Sequence, residues 1–264
     1  MLTLNAFFDY LNDVAPLEYS YKLIEQGDYD NSGILIKNHD EVKKVLFSLD
    51  LSYETLKKAK TLGVDTVVTH HPVIYTPLKA FVKEGETEDL VRLAIKQNLN
   101  VISMHLNLDV ADGGIDACLT KALGGEKYKI LFPLKEGVGY GREFNIKGIT
   151  LAEFVKKSKK ELGASRVTYY GKKNTKLNFG ASFCGGGASY VQKYVGDLGA
   201  KADVIISSDV PHHVIKQVVE NGKCLVLFSH YATENYGFYR YYEKIKNITA
   251  KNAECFFFAD KRFM

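Results

Sequence analysis

Histidines and carboxylates are the residues of this 264-residue sequence whose types and spacing could do chemistry. Two histidine pairs stand out, His70–His71 and His212–His213, and two histidines have a carboxylate four residues on, His105 with Asp109 and His230 with Glu234. A spacing of four puts both side chains on one face of a helix, within reach of one ion. Adjacent residues in a strand point to opposite faces. His70 and His71 can therefore both bind metal only if the strand ends there, or if they serve two ions. Pro72 supplies the ending. The set His70, His71, His105, Asp109, His230 and Glu234 offers more ligands than one four-coordinate ion with an open position needs. It suits two divalent ions, with a carboxylate, Glu234 or Asp109, reaching both. Imidazole and carboxylate without thiolate favour Zn, Fe, Mn, Co or Ni. Four neutral imidazoles and two carboxylates carry −2 against +4 from two such ions. The surplus would attract a small anionic substrate group such as a phosphate.

Other residues allow two readings each. Asp209, His212 and His213 read as catalytic groups that hold a ligand or transfer protons near neutral pH. Equally, Asp209 caps the helix beginning near Pro211 and one of the two histidines faces solvent. Cys184-Gly185-Gly186-Gly187, between a strand and a helix, can aim backbone N–H groups at an anion or form a tight turn with close packing. It lacks the GxGxxG pattern and the P-loop lysine. The aromatic run Tyr236 to Tyr242 reads as a helix packed on the core or on a neighbouring subunit rather than a base-stacking surface. Lys156 to Lys160 reads as a solvated helix face.

The elements that must position these residues alternate. Short strands are expected at 33–36, 44–47, 65–69 and 101–104, with helices at 52–62, 87–98 and 115–123 and a polar loop at 76–87. Residues 129–180 read as an α+β module, with strands at 130–134, 138–144, 167–170 and 176–183 around a helix at 151–162. The alternation then returns, with helices at 188–199, 212–221 and 233–245 and strands at 203–207, 224–229 and 255–258. The histidines and carboxylates fall at the carboxyl ends of strands, where open α/β sheets bind ligands. A weak internal repeat relates Leu62 to Asp109 to Leu198 to Glu234: helix, Leu-Gly, strand, polar pair, helix, strand, His-x3-carboxylate. It suggests two similarly built lobes facing each other. The fold class is α/β (α+β): two similar lobes, each a mainly parallel or mixed sheet flanked by helices, with the metal site in the cleft between them.

Composition bounds the function. With 46% hydrophobic and 25% charged residues the chain is globular and long enough for a sizeable core. Thirty-five basic and 31 acidic residues leave only +4, which argues against a nucleic-acid partner. Four scattered cysteines without a CxxC pair fit a reducing compartment better than a disulfide framework. No run approaches a membrane span, and the opening MLTLNAFFDYLNDVAP lacks a basic signal-peptide region. A cytoplasmic protein is expected.

The stretches Asp30-Asn31-Ser32-Gly33, Val68-Thr69-His70-His71-Pro72-Val73-Ile74-Tyr75 with Leu78-Lys79, His105-Leu106-Asn107-Leu108-Asp109, Asp209 with His212-His213, and His230-Tyr231-Ala232-Thr233-Glu234 resemble, in order along the whole chain, the Nif-three-like dinuclear metal-centre family, also called GTP cyclohydrolase I type 2 homologs. The resemblance implies a first lobe built from both chain ends, 1–125 with 226–264, and an inserted second lobe, 126–225. It implies a toroidal homohexamer with metal pairs lining its interior, and a short form without the extra inserted domain of longer relatives. The family's ligands map onto His70, His71, His105, Asp109, His230 and Glu234. One departure is Ser208, where the family usually has Gly before the Asp. The expected function is metal-dependent hydrolysis of a nucleotide-like or phosphate-bearing substrate. The rivals are a non-catalytic metal-binding scaffold or regulator and a nucleic-acid-binding ring.

Overall fold

β-branched runs bounded by polar residues, such as Thr66–Thr69 and Val204–Ser207, become fully buried central strands. In a computed structural model that describes residues 1–80, 85–125 and 127–264, the order is β1 (Leu2–Thr3), α1 (Leu4–Val14), α2 (Leu17–Glu25), β2 (Gly33–Ile36), β3 (Glu41–Val42), β4 (Lys44–Ser48), α3 (Tyr53–Leu62), β5 (Thr66–Thr69), α4 (Glu86–Lys96), β6 (Asn100–Ser103), α5 (Leu106–Val110) and α6 (Ile115–Ala122). It continues with β7 (Tyr128–Lys135), β8 (Val138–Thr150), α7 (Leu151–Glu161), β9 (Thr168–Tyr170), β10 (Lys176–Ser182), α8 (Ala188–Gly196), β11 (Val204–Ser207), α9 (His212–Glu220), β12 (Cys224–Leu227), α10 (His230–Thr249) and β13 (Glu254–Phe257). The fold is mixed α/β, with sheets flanked by helices. The expected loop at 76–87 includes 81–84, which lie outside the described residues.

The chain divides into two compact units, Met1–Ala111 with Phe238–Asp260, and Asp112–Gly237 with Lys261–Met264. The sequence places the lobe limits at 125/126 and 225/226. By packing, α6 and residues 226–237 group with the second unit instead, and the division falls inside α10. The first unit holds a five-stranded sheet, β13-β4-β5-β6-β2, parallel except for the antiparallel edge strand β2. Leu46, Val67, Val101, Leu56, Ala59, Leu90 and Ala94 build its core under α3 and α4. The aromatic run of α10 packs here, with Phe238, Tyr241 and Tyr242 buried around Phe47. The second unit holds a mixed six-stranded sheet, β7-β8-β10-β11-β12-β9, with the parallel pairs β10–β11 and β11–β12 at its centre.

Local signals explain the elements. Ser52 caps α3 by accepting from Thr55 N, and Gly63 closes it at φ 62. Thr150 and Glu153 form a capping box on α7. Lys156, Lys157 and Lys160 are exposed along that helix. α10 starts at His230, earlier than the expected 233, because Ser229 Oγ accepts from Ala232 N and opens the helix there. The two N-terminal helices α1 and α2 carry no signal that the sequence reading used. None of the four cysteines forms a disulfide. Among the described residues no helix is long and apolar enough to cross a membrane.

The repeat has a counterpart in bonding. Asp65 Oδ2 accepts from Lys43 N and Lys44 N at 2.9 and 2.8 Å, tying the start of β4 to the residue before β5. Asp203 Oδ2 accepts from Asn178 N and Phe179 N at 2.7 and 3.0 Å, tying β10 to β11 in the same way. In each case the aspartate carbonyl also receives the first amide of the next strand, Asn100 N or Cys224 N. Each carboxylate satisfies two strand N–H groups. Asp65→Ala and Asp203→Ala are each expected to lower stability by about 1–2 kcal/mol, with Asn at either position, whose oxygen can still accept from both amides but without the charge, recovering about half; urea denaturation measures both.

Candidate metal centre

In the first unit, β5 ends at Thr69 and the chain turns so that the adjacent histidines share a side. Leu49 O accepts from both His70 N and His71 N, Ser103 Oγ donates to His70 O, and Thr69 Oγ1 donates to His71 O. The two ring centroids lie 4.8 Å apart, and the His105 ring lies 5.1 Å from His70 and 5.8 Å from His71. One ring nitrogen from each of the three falls within 4.8 Å of the others. His105 sits at the N-cap of α5, which carries Asp109, and His70 Nε2 lies 3.5 Å from Asp109 Oδ1. His70 and Asp109 are buried, while His71 and His105 are half-buried.

Each ring is held from behind. His70 Nδ1 is 2.8 Å from Met104 O, and because a carbonyl only accepts, Nδ1 carries the proton and the lone pair stands on Nε2. His71 Nδ1 is 2.7 Å from Asp50 Oδ1, and His105 Nδ1 is 2.7 Å from Asp30 Oδ1. Asp30 is fixed in turn: Ser32 Oγ donates to its other oxygen, and Ser32 Oγ also accepts from His105 N. Burial works to raise the Asp30 carboxyl, but hydrogen bonds with His105, Ser20 and Ser32 outweigh it and hold it below the usual carboxylate range. Asn31 Nδ2 donates to Ile74 O, tying this loop to the segment after Pro72. Asn107 completes the support, with its Nδ2 on Ala15 O and its N on Ser20 Oγ.

The second unit repeats the device on α10. His230 Nε2 is 2.9 Å from Glu234 Oε1, one turn on, and Glu234 is buried. Behind the ring, Nδ1 is 2.5 Å from Asp209 Oδ2. Asp209 reaches it from a left-handed backbone, φ 51, a conformation that Asp tolerates better than most residues. Asp209 does not cap α9, whose N-cap is Pro211 without a side-chain cap; it holds His230. His212 and His213 lie exposed in the first turn of α9. Ser208, where the resemblance expected Gly, keeps an ordinary backbone and donates from its Oγ to Gly185 O.

The glycine-rich turn serves the same carboxylate. Gly185 N donates to Thr233 Oγ1, and Cys184 N donates to Asp116 Oδ1, whose other oxygen takes the Arg142 guanidinium in a fully buried ion pair. Gly185 stands at φ 55, and a Cβ there would overlap the Glu234 carboxylate and come within 3.2 Å of His230 Nε2. Close backbone approach to two candidate ligands is therefore why this position has no side chain.

Asp50, Asp116 and Arg142 were not singled out from sequence. Asp50 follows the carboxyl end of β4, so the strand-end rule that found the histidines would have found it. Asp116 and Arg142 carry no such signal, since only folding joins them.

The profile of the family described as Duf34/NIF3 (NGG1p interacting factor 3) matches residues 2–262. The chain belongs to that family. Among its relatives, a GTP cyclohydrolase 1 type 2 homolog of Methanocaldococcus jannaschii is 32% identical over 231 residues, 85% of this chain and 88% of the relative. One of the same description from Clostridium perfringens is 28% identical over 260 residues, 96% of this chain and 95% of the relative. The crystal structure of a Bacillus cereus protein related to NIF3 superposes with a TM-score of 0.85 at 17% identity, covering 98% of this chain and 96% of that one. Reduced HcgD from Methanocaldococcus jannaschii superposes at 0.76 with 26% identity, covering 97% of each chain. The Duf34/NIF3 fold is thus shared over essentially the full length.

The donor set fits a divalent ion: imidazoles with Nδ1 engaged and Nε2 as the remaining donor, beside buried carboxylates, are how proteins present metal ligands. Gly185→Ala is expected to lower Zn(II) affinity at least about tenfold by displacing Glu234, while costing about 1–2 kcal/mol of stability from its left-handed φ; competition with a chromogenic chelator reads the first and urea denaturation the second.

Proposed function

We propose that this protein is a metal-dependent hydrolase that holds two divalent ions through His70, His71, His105, Asp109, His230 and Glu234 and acts on a nucleotide-like or phosphate-bearing substrate. One observation carries the reading. All four imidazoles of the set have Nδ1 on an acceptor, Met104 O, Asp50, Asp30 or Asp209. Histidines that merely fill a core or cap a helix have no reason to share that constraint. When bound, divalent ions polarise a carbonyl or phosphoryl oxygen and acidify a water.

The chain's own residues do the rest. Asp30, Asp50 and Asp209 orient their imidazoles and raise their basicity as donors. Asp209 is the most exposed carboxylate of this group, with its side chain 59% exposed against 42% for Asp50, and so is well placed to pass a proton to bulk water. His212 and His213, exposed one turn beyond it, belong to the same proposal as proton carriers. The ring-opening reaction on guanine nucleotides that the relatives' descriptions suggest is the first candidate, and the homohexameric ring implied by the resemblance is part of the same proposal.

The test is turnover of GTP, of a panel of phosphoesters and of cyclic amides by metal-loaded protein, with Glu234→Ala as control. Turnover of at least one substrate that falls 100-fold or more in the control is expected; equal turnover by both proteins sinks the proposal. Asp30→Ala and Asp209→Ala are each expected to weaken metal binding by about 10–100-fold, as measured by metal content after dialysis against a graded chelator series. Light scattering reads the assembly.

A further inference from the structure

Two large aromatic rings stand half in water beside the three-imidazole group of the first unit. Tyr29 is 46% and Tyr75 47% exposed. They pack edge to face, with centroids 4.9 Å apart and planes at 67°, and each is followed or preceded by exposed chain. The Tyr75 ring stands 6.2 Å from the His105 ring, nearly perpendicular to it at 88°. The pair is built in advance of any ligand. Tyr75 Oη donates to Tyr29 O at 3.4 Å, and Asn31 Nδ2 holds Ile74 O, so the two loops are laced together on both sides of the rings. Asp30, next to Tyr29, is the residue that anchors His105.

We infer that Tyr29 and Tyr75 form the surface that takes a flat heteroaromatic ring of the substrate, and so set its specificity for a base-bearing anion. The inference rests on the metal reading above and adds the ring-recognising residues to it. Tyr29 and Tyr75 each present part of a ring to water. Their fixed geometry beside His105 gives that exposure a use. A ring stacked on the free face of Tyr75 lies within the span of one nucleotide from the imidazoles, where the surplus positive charge of bound ions draws its phosphate. Stacking on tyrosine tolerates any base, because every base has a π-face. The site therefore selects for the presence of a ring more than for its pattern of donors and acceptors.

The experiment compares AMP with ribose 5-phosphate, which carries the same sugar and phosphate without the base, on full-length Zn(II)-loaded protein by titration calorimetry. The wild type is expected to bind AMP at least about tenfold more tightly than ribose 5-phosphate. Tyr75→Ala and Tyr29→Ala are expected to remove most of that preference with zinc content unchanged, and Tyr75→Phe to keep it. Equal affinity for the two probes, no binding of either, or a preference that survives the double Tyr29→Ala/Tyr75→Ala variant overturns the inference. If Tyr75→Ala loses zinc, Tyr29→Ala decides alone, since Tyr29 lies a ring further from His105. Zinc content of the wild type separates the two readings: zinc bound without a base preference removes this inference only. A wild type that fails to hold zinc removes the metal reading, and the two probes are then compared on the zinc-free protein.

Discussion

An imidazole offers a lone pair in a fixed direction only if its other nitrogen is held, and the structure is arranged around that requirement. The hydrogen bond at Nδ1 fixes both the tautomer and the ring plane of each candidate ligand. Meeting it four times needs three carboxylates and one carbonyl, each brought within about 2.5–2.8 Å of a ring. The carboxylates must themselves be held, or they would take the ring with them. Asp30 shows the cost of that: burial opposes its charge, and Ser20, Ser32 and His105 supply the hydrogen bonds that offset it. Ser32 and Asn107 then link this small network to α2, α5 and the corner after α1. Much of the N-terminal region of the first unit is thus explained by the need to keep one histidine pointing one way.

The two units reach the same solution with different parts. In each, an aspartate at the start of a parallel strand clamps two amides of its neighbour, Asp65 in one and Asp203 in the other. In each, the next parallel strand is followed within three residues by a histidine at the start of a helix with a carboxylate four residues on, His105 with Asp109 and His230 with Glu234. In each, a distant aspartate takes that histidine's Nδ1, Asp30 or Asp209. The units differ where the strand before it ends. The first places His70 and His71 there; the second places Ser208, which ties down the glycine turn, and Asp209, which anchors.

What could be read from sequence follows from how local each signal is. The ends of β5 and β11, the His-x3-carboxylate pairs and the stop after His71 depend on residues within a few positions of one another, and these stand where periodicity and Pro72 placed them. The start of α10 was misplaced by reading Ser229 as strand rather than as the cap it is. The anchors were out of reach for a different reason. Asp50 and Asp30 lie 21 and 75 residues from the histidines they hold, so the strand end that marks Asp50 and the Asp30-Asn31-Ser32-Gly33 stretch that marks Asp30 do not name their partners. Asp209 is legible in sequence as a group that holds a ligand or caps a helix, but not as the partner of His230, because that contact depends on a left-handed backbone that Asp allows without announcing. The aromatic run of α10 follows its apolar pattern into the core, whereas Tyr29 and Tyr75, with no periodicity around them, carry no local sign that they meet.

The second unit also shows why stability alone does not account for its interior. Arg142 and Asp116 are both fully buried. Removing two charges from water costs several kcal/mol each, and apolar replacements of similar volume are often as stable or more so. As a source of stability the pair is a poor choice. As a fixture it is a good one, because Asp116 has a second oxygen, and that oxygen takes Cys184 N at the head of the glycine turn. The turn is held again by Ser208 on Gly185 O, by Thr233 on Gly185 N and by Tyr140 on Cys184 O. Four separate fixings on two residues exceed what a tight turn needs. They press the Gly185 backbone against Glu234, so the carboxylate is confined on one side by main chain and on the other by His230. A buried ion pair, a left-handed aspartate and a left-handed glycine all converge on the position of one carboxylate. A fold under no demand beyond stability would have no reason to concentrate such costs there.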